Sequence, residues 1–142
     1  MQVANQLTYL PAINEHEEQS KVISWAEAMS YNIPELAALH AIPNQNILLS
    51  KVKSQARRYQ VINYSKAEGL KNGVPDLHLP VARGGYHSLY IEMKVKNNKA
   101  SDSQEEWAER LSDLGNLVIY CWSAQDAIQV LADYLNGVYK IT

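Results

Sequence analysis

Apolar residues at Val22, Ile23, Trp25, Ala26 and Met29 follow the polar string Glu15-His16-Glu17-Glu18-Gln19 at close to the helical period, with Asn14 in the N-cap position. Pro34 ends that helix. The short apolar run Leu36 to Ile42, closed by Pro43-Asn44, predicts a strand. Residues 46–68 are rich in helix formers and stop at Gly69, which predicts one or two helices. Leu77 to Ala82 and Tyr86 to Val95, separated by Arg83-Gly84-Gly85, are the arms of a predicted hairpin. A Ser101/Gln104 capping box opens a helix that carries Trp107, Ala108 and Leu111 and stops at Gly115. Leu117 to Trp122 reads as a buried strand, and Ser123 caps a last helix with Ala127, Ile128, Leu131, Ala132 and Leu135 inward as far as Gly137. The order αβαββαβα, with one hairpin in it, predicts an α/β fold on a central mixed β-sheet flanked by helices. Residues 1–14 are expected to be a leader, 15–137 the domain and 138–142 a C-terminal tail.

Composition narrows this picture. A chain of 142 residues that is 46% hydrophobic and 20% charged can bury one real core, which excludes a disordered or fibrous chain. With Cys121 as the single cysteine, neither an internal disulfide nor a cysteine zinc cluster can form. No apolar stretch approaches the roughly 18 to 20 residues of a membrane span, and Met1-Gln2-Val3-Ala4-Asn5 has no signal pattern, so cytoplasmic surroundings and no membrane partner are expected. The net charge of −2 argues against a nucleic-acid partner until it is resolved along the chain. Asn44 to Ala100 holds ten Lys/Arg against Glu68, Asp76 and Glu92, a local +7 that leaves −9 for the rest. Phosphates respond to that local field and not to the average; a solvated basic face is the other reading.

On the hairpin, three residues point to chemistry. Glu92 and Lys94 are two apart, so the strand period puts both on one face. A three-residue loop Arg83-Gly84-Gly85, or a five-residue loop centred on Gly84, makes paired residue numbers sum to 168 and sets Asp76 opposite Glu92. Facing carboxylates repel, and a cation between them relieves that repulsion. Mg2+ suits such an oxygen site, with Lys94 placed to orient water or to stabilise negative charge on a phosphodiester. A structural salt bridge of Lys94 with Glu92 or Asp76 is the alternative.

Pro75-Asp76, then Glu92-Met93-Lys94 after a hairpin, resembles the PD-(D/E)XK nuclease signature. More narrowly, the chain resembles a stand-alone VRR-NUC domain of the small kind found in phages and bacteria. The strings that carry the resemblance are Glu15-His16-Glu17-Glu18-Gln19, Ala41-Ile42-Pro43-Asn44, Gly73-Val74-Pro75-Asp76-Leu77, Gly84-Gly85-Tyr86-His87, Ile91-Glu92-Met93-Lys94 and Ser103-Gln104-Glu105-Glu106-Trp107. What it implies is a restriction-endonuclease-like PD-(D/E)XK core and a Mg2+- or Mn2+-dependent endodeoxyribonuclease of a prokaryotic or phage-infected cell. In that implied site Asp76, Glu92 and the Met93 backbone carbonyl bind the cation and Lys94 is the catalytic lysine. The family's first-helix acid matches Glu15, because Glu15 and Gln19 fit its Glu-x-x-x-Gln pattern, with Glu18 as the alternative; both also suit the helix dipole as first-turn acids. Gln104 matches the glutamine after the catalytic strand, although a capping box explains it without chemistry.

Asn44, Arg57, Arg58, Lys66, Lys71, Arg83, Lys96 and Lys99 are the expected DNA contacts, joined by Tyr59 and Tyr64. No groove-reading motif stands among them, so cleavage selective for DNA structure is expected, and the resemblance extends to Holliday-junction resolvases acting as homodimers. A catalytically silent DNA-binding module, a nickase and a restriction-type nuclease are the competing readings. His78 shares the Asp76 face as a site contact or as a packed strand residue, while His16, His40 and His87 show no metal-ligand spacing.

Overall fold

Leu77 faces Ile91, His78 faces Tyr90 and Leu79 faces Leu89 across the hairpin, so the paired numbers sum to the expected 168. These positions belong to a computed structural model that describes residues 14–50 and 52–142. The expected leader, apart from Asn14, and Lys51 of the basic run lie outside the described residues.

Along the chain the elements are helix α1 (Glu15–Met29), a 3-10 turn (Pro34–Ala38), strand β1 (His40–Ala41), helices α2 (Gln45–Leu49) and α3 (Gln55–Ala67), strands β2 (Leu77–Leu79) and β3 (Leu89–Met93), helix α4 (Asp102–Asp113), strand β4 (Leu117–Cys121) and helix α5 (Ala124–Leu135). The four strands form one mixed sheet in the order β1-β2-β3-β4, antiparallel except for the parallel β3/β4 pair. This is the expected α/β arrangement of a mixed sheet with helices around it. Leu36 to Ile42 departs from the expected strand. Pro34 occupies the first turn of a 3-10 helix, where its missing N–H costs nothing, and the extended backbone shrinks to His40–Ala41.

Asn14 Oδ1 accepts from the amides of His16 (3.0 Å) and Glu17 (3.4 Å) and so starts α1. Val22 and Ala26 on α1 and Ala127, Leu131 and Tyr134 on α5 pack against Leu77, Leu79, Leu89, Ile91 and Met93, which form one face of the sheet. Each fully buried Leu or Ile there contributes roughly 1.5–3 kcal/mol relative to exposure. Strand alternation sends His78, Tyr90, Glu92, Val118 and Tyr120 to the opposite face. β4 is less enclosed than expected, with only Cys121 fully buried and Trp122 about half exposed beyond the strand end.

At the hairpin tip the geometry is not the loop anticipated. Arg83 pairs with Tyr86 around Gly84 and Gly85, whose φ values of 62° and 94° suit a two-residue turn of the primed type. The ladder keeps its register because an extra residue on the first arm is taken up where Val81 N–H donates to the Leu79 carbonyl (2.9 Å). A Cβ on Gly84 would run into the Tyr139 backbone carbonyl, since the C-terminal segment docks on the tip through the Ile141 amide and the Gly84 carbonyl (2.8 Å). Gly84→Ala is therefore expected to cost about 1–3 kcal/mol in urea unfolding. An unchanged midpoint would mean that the segment does not dock there.

Candidate active site

Asp76 lies just before β2, with its backbone carbonyl fixed by the Ile42 amide (2.8 Å). The preceding loop reaches it by a close approach: Gly73 (φ 93°) sits so near the backbone of Ser103 that a Cβ would overlap it. That approach sets the start of β2 against the first turn of α4. Asp76 Oδ2 accepts from the Met93 amide (2.8 Å) and so reaches across the sheet to the Glu92 end of β3, as the register anticipated. Lys94 follows β3 and extends the parallel ladder by donating its amide to the Cys121 carbonyl (2.8 Å).

Glu92 and Lys94 are buried, at 4% and 7% exposure. Gln104 joins them. Its Nε2 donates to Glu92 Oε1 (2.6 Å), while its Oε1 accepts from Lys94 Nζ (2.6 Å) and from the Ser101 amide (2.9 Å). Both arms of the capping box are present. One side chain thus does what the two readings of Gln104 kept separate, capping the start of α4 and bridging the acid and the lysine. The direct Lys94–Glu92 approach is loose, at 3.8 Å.

Burial pushes the Glu92 carboxyl up to about 8, with the Asp76 charge adding to the effect and Lys94 opposing it. Burial also raises Asp76, to about 6; the Met93 amide opposes this, and the charge of Glu15 reinforces it. Glu15 therefore acts on both carboxyls from the N-terminus of α1. Glu18 instead is buried on the helix and pairs with Lys21 (3.3 Å). Among the described residues no group of three or more His, Cys, Asp or Glu converges into a metal cage. What the protein offers is one buried and one half-buried carboxylate, Glu92 and Asp76, side by side and both held toward the protonated form by desolvation. That donor chemistry fits an ion such as Mg2+, which takes one or two carboxylates and fills its sphere with water and phosphate.

The expected DNA contacts scatter. Arg57, Lys66, Tyr59 and Tyr64 are exposed on α3, which buries none of its residues. Arg58 instead ties α2 to α3 by donating to the carbonyls of Val52 (2.9 Å) and Leu49 (3.4 Å). Arg83 stands at the far end of the hairpin from Asp76, bound by Glu35 (3.5 Å) and the Leu135 carbonyl (3.3 Å). Asn44 opens α2, its carbonyl accepting from the Leu48 amide (3.2 Å). Lys71, Lys96 and Lys99 are exposed in loops. His78 stacks on Tyr90 (centroids 4.2 Å apart) and bonds to His40 and Ser88, so it is held within the sheet face. Cys121 is buried and its thiol pushed up to about 12 by that burial, a core residue with no thiolate to offer. Sequence reading missed the pairing of His40 with His78 and the Ser88–Asn116 bond (2.7 Å), for which spacing carries no signal.

A mixed four-stranded sheet flanked by helices, with an acid opening the hairpin and a Glu-x-Lys pair facing it at the end of the second strand, is consistent with a nuclease-type domain with a restriction-endonuclease-like PD-(D/E)XK core. The model of the VRR-NUC domain matches residues 5–125, and the chain belongs to that family. It is similar to a solved structure named VRR_NUC domain protein, at 28% identity and a TM-score of 0.67, over 87% of this chain and 88% of that one. No curated protein matches the chain. Among the described residues no helix is long and apolar enough to cross a membrane.

Proposed function

We propose that the protein is a divalent-metal-dependent DNA endonuclease, with Asp76, Glu92, the Met93 backbone carbonyl and Glu15 as the cation-holding groups. The observation that carries this is the pairing of half-buried Asp76 with buried Glu92, both with raised affinity for protons, the latter bridged to the buried Lys94 by Gln104. A Mg2+ or Mn2+ ion bound there supplies Lewis acidity to the phosphodiester and acidifies water. Lys94 holds its ammonium where negative charge develops on the phosphate or where water attacks, and burial strengthens its field. Gln104 fixes the distance between Lys94 and Glu92.

Arg57 and Tyr64 on one side of α3, and Tyr59 and Lys66 on the other, are exposed groups suited to phosphate and sugar contacts without base reading, which supports a substrate read by shape. As a two-fold homodimer the protein would set two such sites on one four-way junction, the Holliday-junction resolvase version of this reading. The test is incubation with Mg2+ or Mn2+ and labelled four-way junction, flap, duplex and single strand. Paired symmetric cuts in the junction support the full proposal. A strictly monomeric mass removes the resolvase version, and binding to every substrate without cleavage leaves a DNA-binding module.

Two further outcomes are expected. Gln104→Ala removes one arm of the cap and the tether of Lys94, costing about 1 kcal/mol of stability and roughly 10- to 100-fold in cleavage rate. Wild-type stability or wild-type cleavage in that variant would separate the cap from the site. Replacing both Arg57 and Lys66 by alanine should weaken binding about equally for all sequences and lower the slope of log affinity against log salt by about 1 for each phosphate left unneutralised. An unchanged slope places the DNA elsewhere.

A further inference from the structure

We propose that His40 and His78 form a second metal site, for a transition-metal ion such as Zn2+, Ni2+ or Cu2+, that staples the edge strand β1 to β2. The two residues face each other directly across that strand pair, with His40 Nε2 and His78 Nδ1 3.4 Å apart. Their outer nitrogens are committed. His40 Nδ1 lies 3.0 Å from the Ala38 carbonyl, which can only accept, so this nitrogen carries the hydrogen. Asn116 donates its amide to the Leu111 carbonyl (3.1 Å) and so turns Oδ1 to the Ser88 hydroxyl (2.7 Å). Ser88 spends its hydrogen there, and His78 Nε2 must be the donor in its 3.1 Å bond to Ser88.

A neutral imidazole has one N–H, so both inner nitrogens present lone pairs to each other. Something positive belongs between them. Two imidazole nitrogens on one tetrahedral ion, with bonds of about 2.0–2.1 Å, stand roughly 3.3–3.4 Å apart. The rings already have that spacing, with planes crossed at 86° and His78 clamped flat against Tyr90 at 17°. A carbonyl and a hydroxyl holding the outer N–H groups are the usual supports of metal-binding histidines. Imidazole prefers Zn2+, Ni2+ or Cu2+ to Mg2+, which separates this site from the carboxyls. With two side-chain ligands, water or an incoming anion completes the shell.

The experiment is thermal unfolding of the full chain in excess Mg2+, with and without added Zn2+, for wild type, His40→Gln and Asp76→Asn. Zinc should raise Tm in wild type and Asp76→Asn, and that rise should vanish in His40→Gln. A rise that survives His40→Gln but is lost in Asp76→Asn puts zinc on the carboxyls and overturns the proposal. No rise in wild type leaves a shared proton between the rings and overturns it as well. As a readout independent of any variant, Cu2+ bound to wild type should show two nitrogen ligands by electron paramagnetic resonance; one or none refutes the pair. Loss of nuclease activity in Asp76→Asn tests the carboxylate site separately.

Discussion

Lys94→Ala is expected to lower DNA cleavage by about 1,000-fold or more while leaving the fold and DNA binding in place. The backbone of residue 94 extends the β3/β4 ladder through its amide, and alanine keeps that bond. What disappears is a buried ammonium held 2.6 Å from Gln104 Oε1 and 3.8 Å from Glu92 Oε1. Gln104 Oε1 keeps the Ser101 amide as a donor, so the deletion leaves no orphaned acceptor on that side. Glu92 loses the cation that opposes its raised proton affinity, which makes an ionised site costlier to form. Lys94→Arg should fail to rescue, because its planar fork is larger than the 7%-exposed slot and hydrogen-bonds in another geometry. Single-turnover cleavage with Mg2+, alongside binding by anisotropy, measures the two effects separately. A variant within about tenfold of wild type would move the chemistry to another group.

The hairpin explains why so much of this site was legible in sequence. Strand period and a constant pairing sum need no knowledge of the rest of the fold, and they set Asp76 beside Glu92 even though the actual tip is the tighter Arg83/Tyr86 turn. The Leu36 to Ile42 run was not legible, because a short apolar run has no period that separates a strand from a helical turn, and Pro34 decides the matter locally. Glu15 and Glu18 were equivalent as first-turn acids. Only the packed molecule separates them, one acting on Asp76 and Glu92 and the other held by Lys21. Basic residues are the weakest sequence signal for the same reason: a charge count does not show that Arg58 and Arg83 also bond to Val52, Leu49, Glu35 and Leu135. The His40–His78 pair joins positions brought together only by the β1/β2 ladder.

Without a divalent cation, the protein is expected to lose stability as pH rises from about 4 to about 8. Both site carboxyls bind protons more tightly folded than unfolded, Asp76 up to about 6 and Glu92 up to about 8, chiefly through burial and with their mutual repulsion and Glu15 contributing. Below about pH 4 both carboxyls are protonated in the folded and the unfolded chain, and they contribute nothing to the slope. Above it the unfolded chain ionises first, so it binds fewer protons than the native state and stability falls with pH until Glu92 ionises in the fold. A tenfold difference in proton affinity corresponds to about 1.4 kcal/mol, so the two carboxyls together cost several kcal/mol at pH 8, a figure that already includes the opposing charge of Lys94. Glu92→Gln should flatten the profile and be more stable than wild type at pH 8 in chelator, while losing cleavage, a trade of stability against function. Added Mg2+ should restore wild-type stability increasingly from pH 6 to 8 and leave Glu92→Gln nearly unmoved, because the ion favours the ionised pair that the fold penalises. Urea unfolding across this range, wild type against Glu92→Gln, isolates the effect from the rest of the chain's titration. If wild type without metal gains stability over Glu92→Gln as pH rises, the carboxyls are held by fixed partners, and no cation is needed to ionise them.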